Sequence, residues 1–286
     1  MKSTVVLINS CDAYSDVWEP FFRILERTWP EIANYRIVLN TEEKQYKDSY
    51  FDVEVMNILS GKSPNIPWGE RLLDVLGRLE EEYIIFLLED FFFEEKVNHT
   101  LIEKYLTYLK NNQDIATLSL TSPMDSKELE SYQKTSLYEE FAERGQKAYY
   151  KLNAGPGIWR KSALVEFTRV TDNPWEWEFF GSMRTWFSNS KFYGLKQETE
   201  PVFKYDIEHG GAVHRGKWVG YKLDEIIEKY NLTIDFSKRP IEYDWMADEP
   251  KSAPIWLRLP SILKNRSKAF ITICGSFLKY RLMRSR

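Results

Sequence analysis

The chain opens with short apolar runs that alternate with stretches of helical period. Thr4-Val5-Val6-Leu7-Ile8 is apolar and of strand length, closed by the polar Asn9-Ser10-Cys11-Asp12. Tyr14, Val17, Phe21, Ile24, Leu25 and Thr28 then recur at helical spacing, and Pro30 ends that helix. Tyr35 to Leu39 and Phe51 to Ile58 predict two further strands, the first running into Asn40-Thr41-Glu42, with a loop marked by Gly61, Pro64 and Pro67. Leu72, Val75, Leu76 and Leu79 form the stripe of a helix that delivers the chain into Ile84-Ile85-Phe86-Leu87-Leu88. That run meets Glu89-Asp90 and then Phe91-Phe92-Phe93 with no turn residue between. The pattern predicts a strand buried on both faces whose carboxyl end carries two acids.

Ile102, Tyr105, Leu106 and Leu109 predict another helix, and Ile115 to Leu120 another strand. Strands alternating with helices imply parallel βαβ units with right-handed crossovers, so the expected fold class is α/β, a mostly parallel sheet flanked by helices. Ligands of such open sheets bind at the carboxyl ends of the strands. Glu89 and Asp90 are therefore placed where hard oxygen ligands hold Mg²⁺ or Mn²⁺, with plain strand termination by two acids as the alternative. Residues 122–146 are polar with little β character and are expected to form a helical or mobile excursion over the site. Asn153-Ala154-Gly155-Pro156 forces a turn between Tyr149–Leu152 and Gly157–Trp159. Helices are expected from Lys161 and from Asn173-Pro174, and a strand over Lys204 to Ile207. A glycine-rich segment, 209–218, carries His209, His214, Arg215 and Lys217.

Composition narrows the class of protein. With 286 residues, 43% of them hydrophobic and 29% charged, the chain is long enough for a substantial core and reads as soluble and globular. Cys11 and Cys274 are far apart and lack metal spacing, so no disulfide framework is expected, and a reducing, cytoplasmic compartment is the default. The first residues read as a strand rather than a secretory leader, and no apolar run approaches the roughly 18 residues of a membrane span. The nine Lys and Arg from Lys251 onward, unaccompanied by acids, leave residues 1–250 at −13 against a whole-chain net charge of −4. An acidic body of that kind repels phosphate backbones, so nucleic acid is excluded as a partner.

The stretches VVLINSCDAYSDVW, IIFLLEDFFF, GPGIWRKSAL, NPWEWEFFGS and HRGKW, in that order, resemble the GT-A family of nucleotide-sugar glycosyltransferases, particularly bacterial enzymes of capsule, exopolysaccharide and lipopolysaccharide assembly. The resemblance spans roughly residues 3 to 240. It implies transfer of a sugar from a nucleoside-diphosphate sugar to a glycan or lipid-linked acceptor. It also implies a catalytic domain over 1–250, with a nucleotide-binding half at 1–121 and an acceptor half at 122–250. The family's acidic metal-binding motif maps onto Glu89 and Asp90, with Leu88 where a first aspartate would stand. By the same resemblance Asn9, Ser10, Asp12 and Thr41 line the base and ribose pocket. His214, Arg215 and Lys217 clamp the metal and diphosphate, His214 as a metal ligand and His209 in reserve.

An inverting enzyme of this kind needs a carboxylate to deprotonate the acceptor hydroxyl. Glu176 and Glu178 are the candidates, set among Trp175, Trp177 and Phe179, where apolar surroundings raise a carboxyl pKa and indoles stack on sugars. Two positions apart on a helix they diverge by about 200°, so one faces the site, and Glu178 is preferred. Trp175, Trp177 and Trp159 are the expected acceptor-binding aromatics. Inverting against retaining chemistry, the base and the sugar stay open. A nucleotidyltransferase and a non-catalytic carbohydrate-binding protein are the competing classes, the former weakened by the lack of a glycine-rich phosphate loop with Arg and Lys after the first strand.

The tail, 251–286, mixes apolar residues such as Phe270, Ile271, Phe277 and Leu278 with Arg and Lys. It predicts a basic amphipathic helix lying against an anionic, cytoplasmic membrane face, or one that packs on the acidic body or pairs two subunits as a homodimer.

Overall fold

The computed structural model describes residues 3–58, 66–123, 129–130, 132–133, 138–208, 210–243 and 255–284, with the backbone alone described at 222, 255–263 and 284. An eight-stranded sheet organises the chain, built from β1 (Thr4–Asn9), β2 (Arg36–Thr41), β3 (Val53–Asn57), β4 (Tyr83–Leu87), β5 (Ile115–Ser119), β6 (Phe141–Glu143), β7 (Gly157–Arg160) and β8 (Lys191–Leu195). The spatial order is β3-β2-β1-β4-β7-β5-β8-β6. β1, β2, β3 and β4 run parallel, as do β5 and β8, while β7 and β6 are antiparallel to their neighbours. The α/β class expected from the alternation of periods is the observed one, as a mixed, mostly parallel sheet.

The helices α1 (Ser15–Thr28), α2 (Trp68–Arg78), α3 (His99–Asn111), α4 (Lys161–Phe167), α5 (Pro174–Arg184) and α6 (Gly220–Tyr230) cover this sheet on both sides. Strand residues alternate in direction, so Val6, Ile8, Ile85 and Leu87 pack with Phe21, Leu25, Leu106 and Leu223 of α1, α3 and α6. Val5, Leu7, Ile84 and Phe86 pack instead with Leu72, Leu76, Leu164 and Trp177 of α2, α4 and α5. With both faces covered, β4 is buried at every position, which is why its sequence is a continuous apolar run. A second, three-stranded sheet of β9 (Val213–His214), β10 (Lys217–Val219) and β11 (Ile241–Glu242) packs through Val213 and Trp218 on the same core, and α7 (Ile255–Arg284) closes the described chain.

Some expectations are corrected. Lys204 to Ile207 is not a strand: Glu94 N donates to the Lys204 carbonyl, while Val202 N and Phe203 N share the Leu120 carbonyl. Single bonds to two different loops replace a ladder. Within 122–146, expected to have little β character, Phe141–Glu143 pairs antiparallel with β8 at the sheet edge. Residues 124–128, 131 and 134–137 of that stretch lie outside the described residues, as do Gly61, Pro64, His209 and 251–254. β5, before the expected boundary at residue 121, pairs with β7 and β8, which follow it.

The antiparallel β7 is secured by Arg160, a buried cation at its end. Its guanidinium donates to the carbonyls of Leu109 (2.7 Å), Asn112 (3.2 Å) and Ile115 (3.3 Å) and pairs with Glu82 at 2.5 Å. It thereby satisfies carbonyls at the end of α3 and stitches β4 to β5 across β7. Arg160→Met is expected to lower stability by about 3–5 kcal/mol, because several carbonyls lose their donor in a dry setting. Urea unfolding checks this; a loss below about 1 kcal/mol would mean that water replaces the guanidinium.

Candidate functional site

The acids expected at the strand mouth are held there by the three aromatic residues next in the chain. Phe91, Phe92 and Phe93 are buried, packing on Tyr205 (4.4 Å between ring centroids), Trp218 (5.9 Å) and Phe203 (4.9 Å) respectively. Three aromatic anchors in succession leave Glu89 and Asp90 no freedom to swing into solvent. Glu89 is buried, and the Oδ1 of Asp90 is buried without a hydrogen-bond partner. Both carboxyls hold their protons well above the usual carboxylate range. For Glu89 the causes are burial first and then the charge of Asp90, partly offset by the Ser10 hydroxyl and Arg239. For Asp90 burial dominates.

Other ionisable groups near them shift in the same sense. Burial, then Asp90 and Glu89, push the Tyr14 phenol up to about 12. Burial, then Glu89, push the Cys11 thiol up to about 11. The site is thus short of positive charge, and its two hard oxygen donors and an orphaned carboxylate atom fit a divalent cation. Among the described residues no three His, Cys, Asp or Glu side chains converge as a metal cluster. His214 therefore does not complete a ligand set with Glu89 and Asp90. Mg²⁺ is suited to such a site, because it accepts one or two carboxylates and takes its remaining ligands from substrate phosphate and water.

The polar residues at the neighbouring strand ends divide into two groups. Ser10 belongs to the site: its hydroxyl accepts from the buried Trp18 indole at 2.7 Å and acts on Glu89. Asn9, Thr41 and Asp12 are engaged in holding the edge itself. Asn9 accepts from the Asn40 amide at 2.7 Å, and Thr41 donates to the Lys44 carbonyl at 2.9 Å. Asp12 accepts the backbone N–H groups of Glu42 (3.1 Å), Glu43 (3.0 Å) and Lys44, shaping the loop after β2.

The glycine-rich segment does reach the acids, through its main chain. Ala212 N donates to the Asp90 carbonyl at 2.7 Å, and a Cβ on Gly211 (φ +96°) would come within 2.8 Å of that same oxygen. Arg215 and Gly216, at φ +49° and +78°, form the tight turn between β9 and β10. Arg215 is exposed there, and Lys217 pairs with Glu242 at 2.7 Å. Burial and the Arg215 charge hold the His214 imidazole below its usual range.

Glu176 and Glu178 diverge as their spacing requires. Glu176 pairs with Lys268 of α7 at 2.6 Å, whereas Glu178 turns toward the turn before β7 and accepts from Ala154 N at 2.8 Å. Burial raises the proton affinity of Glu178, partly offset by that hydrogen bond. The adjoining Gly155 lies beside Thr121 and Tyr205, the ring that covers Phe91. A chain of contacts thus links Glu178 to the acid pair. Trp159 and Trp177 are corrected to core residues, 2% and 0% exposed, with the Trp177 indole donating to Thr168 at 2.9 Å. They offer no face to a ligand. Trp175 is 77% exposed, and Tyr149 stacks on Phe179 at 5.7 Å beside Glu178.

Two cations were not anticipated. Arg239 is buried, pairs with Asp16 at 3.0 Å, lies over the Tyr14 ring at 4.6 Å and acts electrostatically on both Glu89 and Asp90. No periodicity marks it, since it follows a turn and its partners are more than 200 residues away in sequence. Arg71 pairs with Glu42 at 2.5 Å and has a buried Nε with no partner. A signal existed for Arg71: a cation in the first turn of α2 opposes the helix dipole and implies a tertiary role.

No protein-family model matches the chain, and no curated protein matches it. Among solved structures it is similar to TarS of S. aureus at 10% identity and a TM-score of 0.43, covering 81% of this chain and 43% of that one. It therefore spans less than half of that longer protein. TarS 1–349 in complex with UDP-GlcNAc matches at 12% identity and a TM-score of 0.40, covering 99% of this chain and 92% of that one. A cytidylyltransferase from Leptospira borgpetersenii serovar Hardjo-bovis matches at 14% identity and a TM-score of 0.37, covering 62% and 68%. Likenesses this distant leave the assignment of function to the site itself.

The electrostatics yield a stability prediction. Folded Glu89 keeps its proton to higher pH than unfolded Glu89, so the folded state binds more protons between the two pKa values. Stability contributed by the neutral form is present below the unfolded pKa and is lost as pH rises through that window. Glu89→Gln removes the loss and should raise stability at neutral pH by about 1–3 kcal/mol, while matching wild type in mild acid. Thermal unfolding across pH checks this; a variant less stable than wild type at neutral pH would overturn it.

Proposed function

We propose that the chain is a divalent-metal-dependent glycosyltransferase that moves a sugar from a nucleoside diphosphate to a glycan or lipid-linked acceptor in cell-surface polysaccharide synthesis. The observation that carries this reading is the buried acid pair at the end of β4, with an unpartnered Asp90 oxygen and Arg239 as the compensating charge among the described residues. Asp90 and Glu89 would hold Mg²⁺ or Mn²⁺, which when bound supplies Lewis-acid neutralisation of a leaving diphosphate. Arg71, on the side of β2, extends positive charge along the same edge for the donor.

Glu178 is the proposed base. Its carboxylate is oriented by Ala154 N, and burial raises its affinity for a proton. The proton of the acceptor hydroxyl passes to Glu178 as the acceptor oxygen bonds to the anomeric carbon. The nucleoside diphosphate departs with the electron pair of the broken bond. Trp175 and the Tyr149–Phe179 stack offer aromatic faces beside this carboxylate for an acceptor sugar. Glu176, committed to Lys268, is the control position.

Asp90→Asn is expected to lower turnover by about 10³-fold with the fold retained, since Asn has nearly the same shape and Arg239 keeps its pair with Asp16. Glu178→Gln should lower kcat by about 10²–10⁴-fold with donor affinity nearly unchanged and should abolish the acid limb of the pH–rate profile. Glu176→Gln should leave turnover near wild type. The assay is nucleoside diphosphate release across UDP, GDP and dTDP sugars with and without Mn²⁺. Pyrophosphate release from a nucleoside triphosphate would assign nucleotidyl transfer instead, and an active Asp90→Asn enzyme would remove the metal from the reading.

A further inference from the structure

The C-terminal helix α7 turns polar side chains to the body and leaves several large apolar ones exposed. The side that meets the body is polar: Lys268 pairs with Glu176, while Lys279 and the Tyr280 hydroxyl both reach Glu166, at 2.8 and 2.6 Å. Thr272 and Ser276 lie on that side as well, lining a cleft of about 520 Å³ between α7 and the residues of α4 and α5. Phe277, at one border, makes an edge contact with Phe187 at 5.4 Å. The outward side carries Phe270 (69% exposed), Leu278 (56%) and Leu282 (65%), while Ile271, also 69% exposed, stands at the mouth of the cleft. At 3.6 residues per turn these four and Cys274 fall within a sector of about 120°. Exposed Lys264, Ser267 and Arg281 fall within that sector and Arg266 beside it, with Lys264 and Ser267 also at the cleft and Arg281 at a second one next to Phe277 and Trp186.

We propose that this outward face of α7 is a docking surface for an anionic lipid bilayer, on which the helix lies flat. Its thirty residues make a rod about 45 Å long, and among the described residues no helix is long and apolar enough to cross a membrane. An apolar stripe of bulky side chains between basic residues is the arrangement that seats a helix at the boundary of headgroups and acyl chains. Charge selects the occupant. From residue 251 to the end there is no Asp or Glu, so two copies of this face brought together would oppose like charges. The nearby acids of the body, Glu166 and Glu176, are already paired with α7 itself. An anionic surface meets both demands, taking the apolar side chains and neutralising the cations. Each basic residue near such a surface strengthens binding roughly fivefold, so Lys264, Arg266 and Arg281 contribute about two orders of magnitude. The inference stands on α7 alone and does not depend on the reaction proposed for the acid pair.

The test is co-sedimentation of the full-length protein with vesicles of phosphatidylcholine alone or with phosphatidylglycerol added, at low and high salt, beside sedimentation velocity without vesicles. The expected result is binding to the anionic vesicles, weakened by salt, and a loss of at least about tenfold in the double variant Phe270→Glu/Leu278→Glu. That variant alters only exposed side chains and should keep the wild-type unfolding midpoint. Should it fail to fold, Phe270→Glu/Leu282→Glu replaces it. Absence of vesicle binding, binding unchanged in the variant, or a dimer in solution that the variant dissociates would each overturn the proposal, the last assigning the face to a second copy of the chain.

Discussion

Two adjacent carboxylates kept out of water at the end of the central strand are the constraint on which the rest of this structure depends. Burying an acid is unfavourable unless a cation or a set of donors compensates it, and here the compensation within the described chain is partial. The acids stay because the next three residues are phenylalanines whose rings are fixed in the core against Trp218, Phe203 and Tyr205. Hydrophobic burial thus holds an electrostatically unfavourable arrangement in place. A site that resists the ionisation of two carboxyls in this way is suited to a ligand whose positive charge offsets it.

The architecture around that point serves the same end. Placing the antiparallel β7 between β4 and β5 delivers the turn at residues 153–156 to the edge where the parallel strands finish. That turn donates to Glu178 on one side and lies beside Thr121 and Tyr205 on the other. The small sheet contributes a backbone contact at Asp90 through Ala212, and the segment before β11 contributes Arg239. Here glycine is required by geometry, since Gly211 has both a positive φ and a carbonyl where a side chain would be.

Charge is partitioned between body and tail with a structural consequence. Acids of α4 and α5 hold α7 by ion pairs, which turns polar side chains of that helix inward and leaves several large apolar ones exposed. Ion pairs of this half-exposed kind contribute little each to stability, so they define the orientation of α7 more than its strength of attachment.

Local pattern was enough to determine most elements and two features of the site. A continuous apolar run could only be a strand buried on both faces, and two acids directly after it could only emerge at its carboxyl end. Helical geometry alone sent Glu176 and Glu178 in different directions, because positions two apart on a helix cannot share a face. Tertiary structure alone decided which side chains meet. Trp159 and Trp177 carry no mark distinguishing a sugar platform from core, and their burial follows from where α5 packs on the sheet. Arg239 pairs with Asp16 from more than 200 residues away in sequence and acts on the acids from about 150 away, beyond any periodicity. The short strands β6 and β8 owe their state to pairing with each other and with β5, and a three-residue strand has too little pattern of its own to announce itself. Period and propensity act over a few residues, whereas burial, pKa and ion pairing are set by neighbours that the fold brings together.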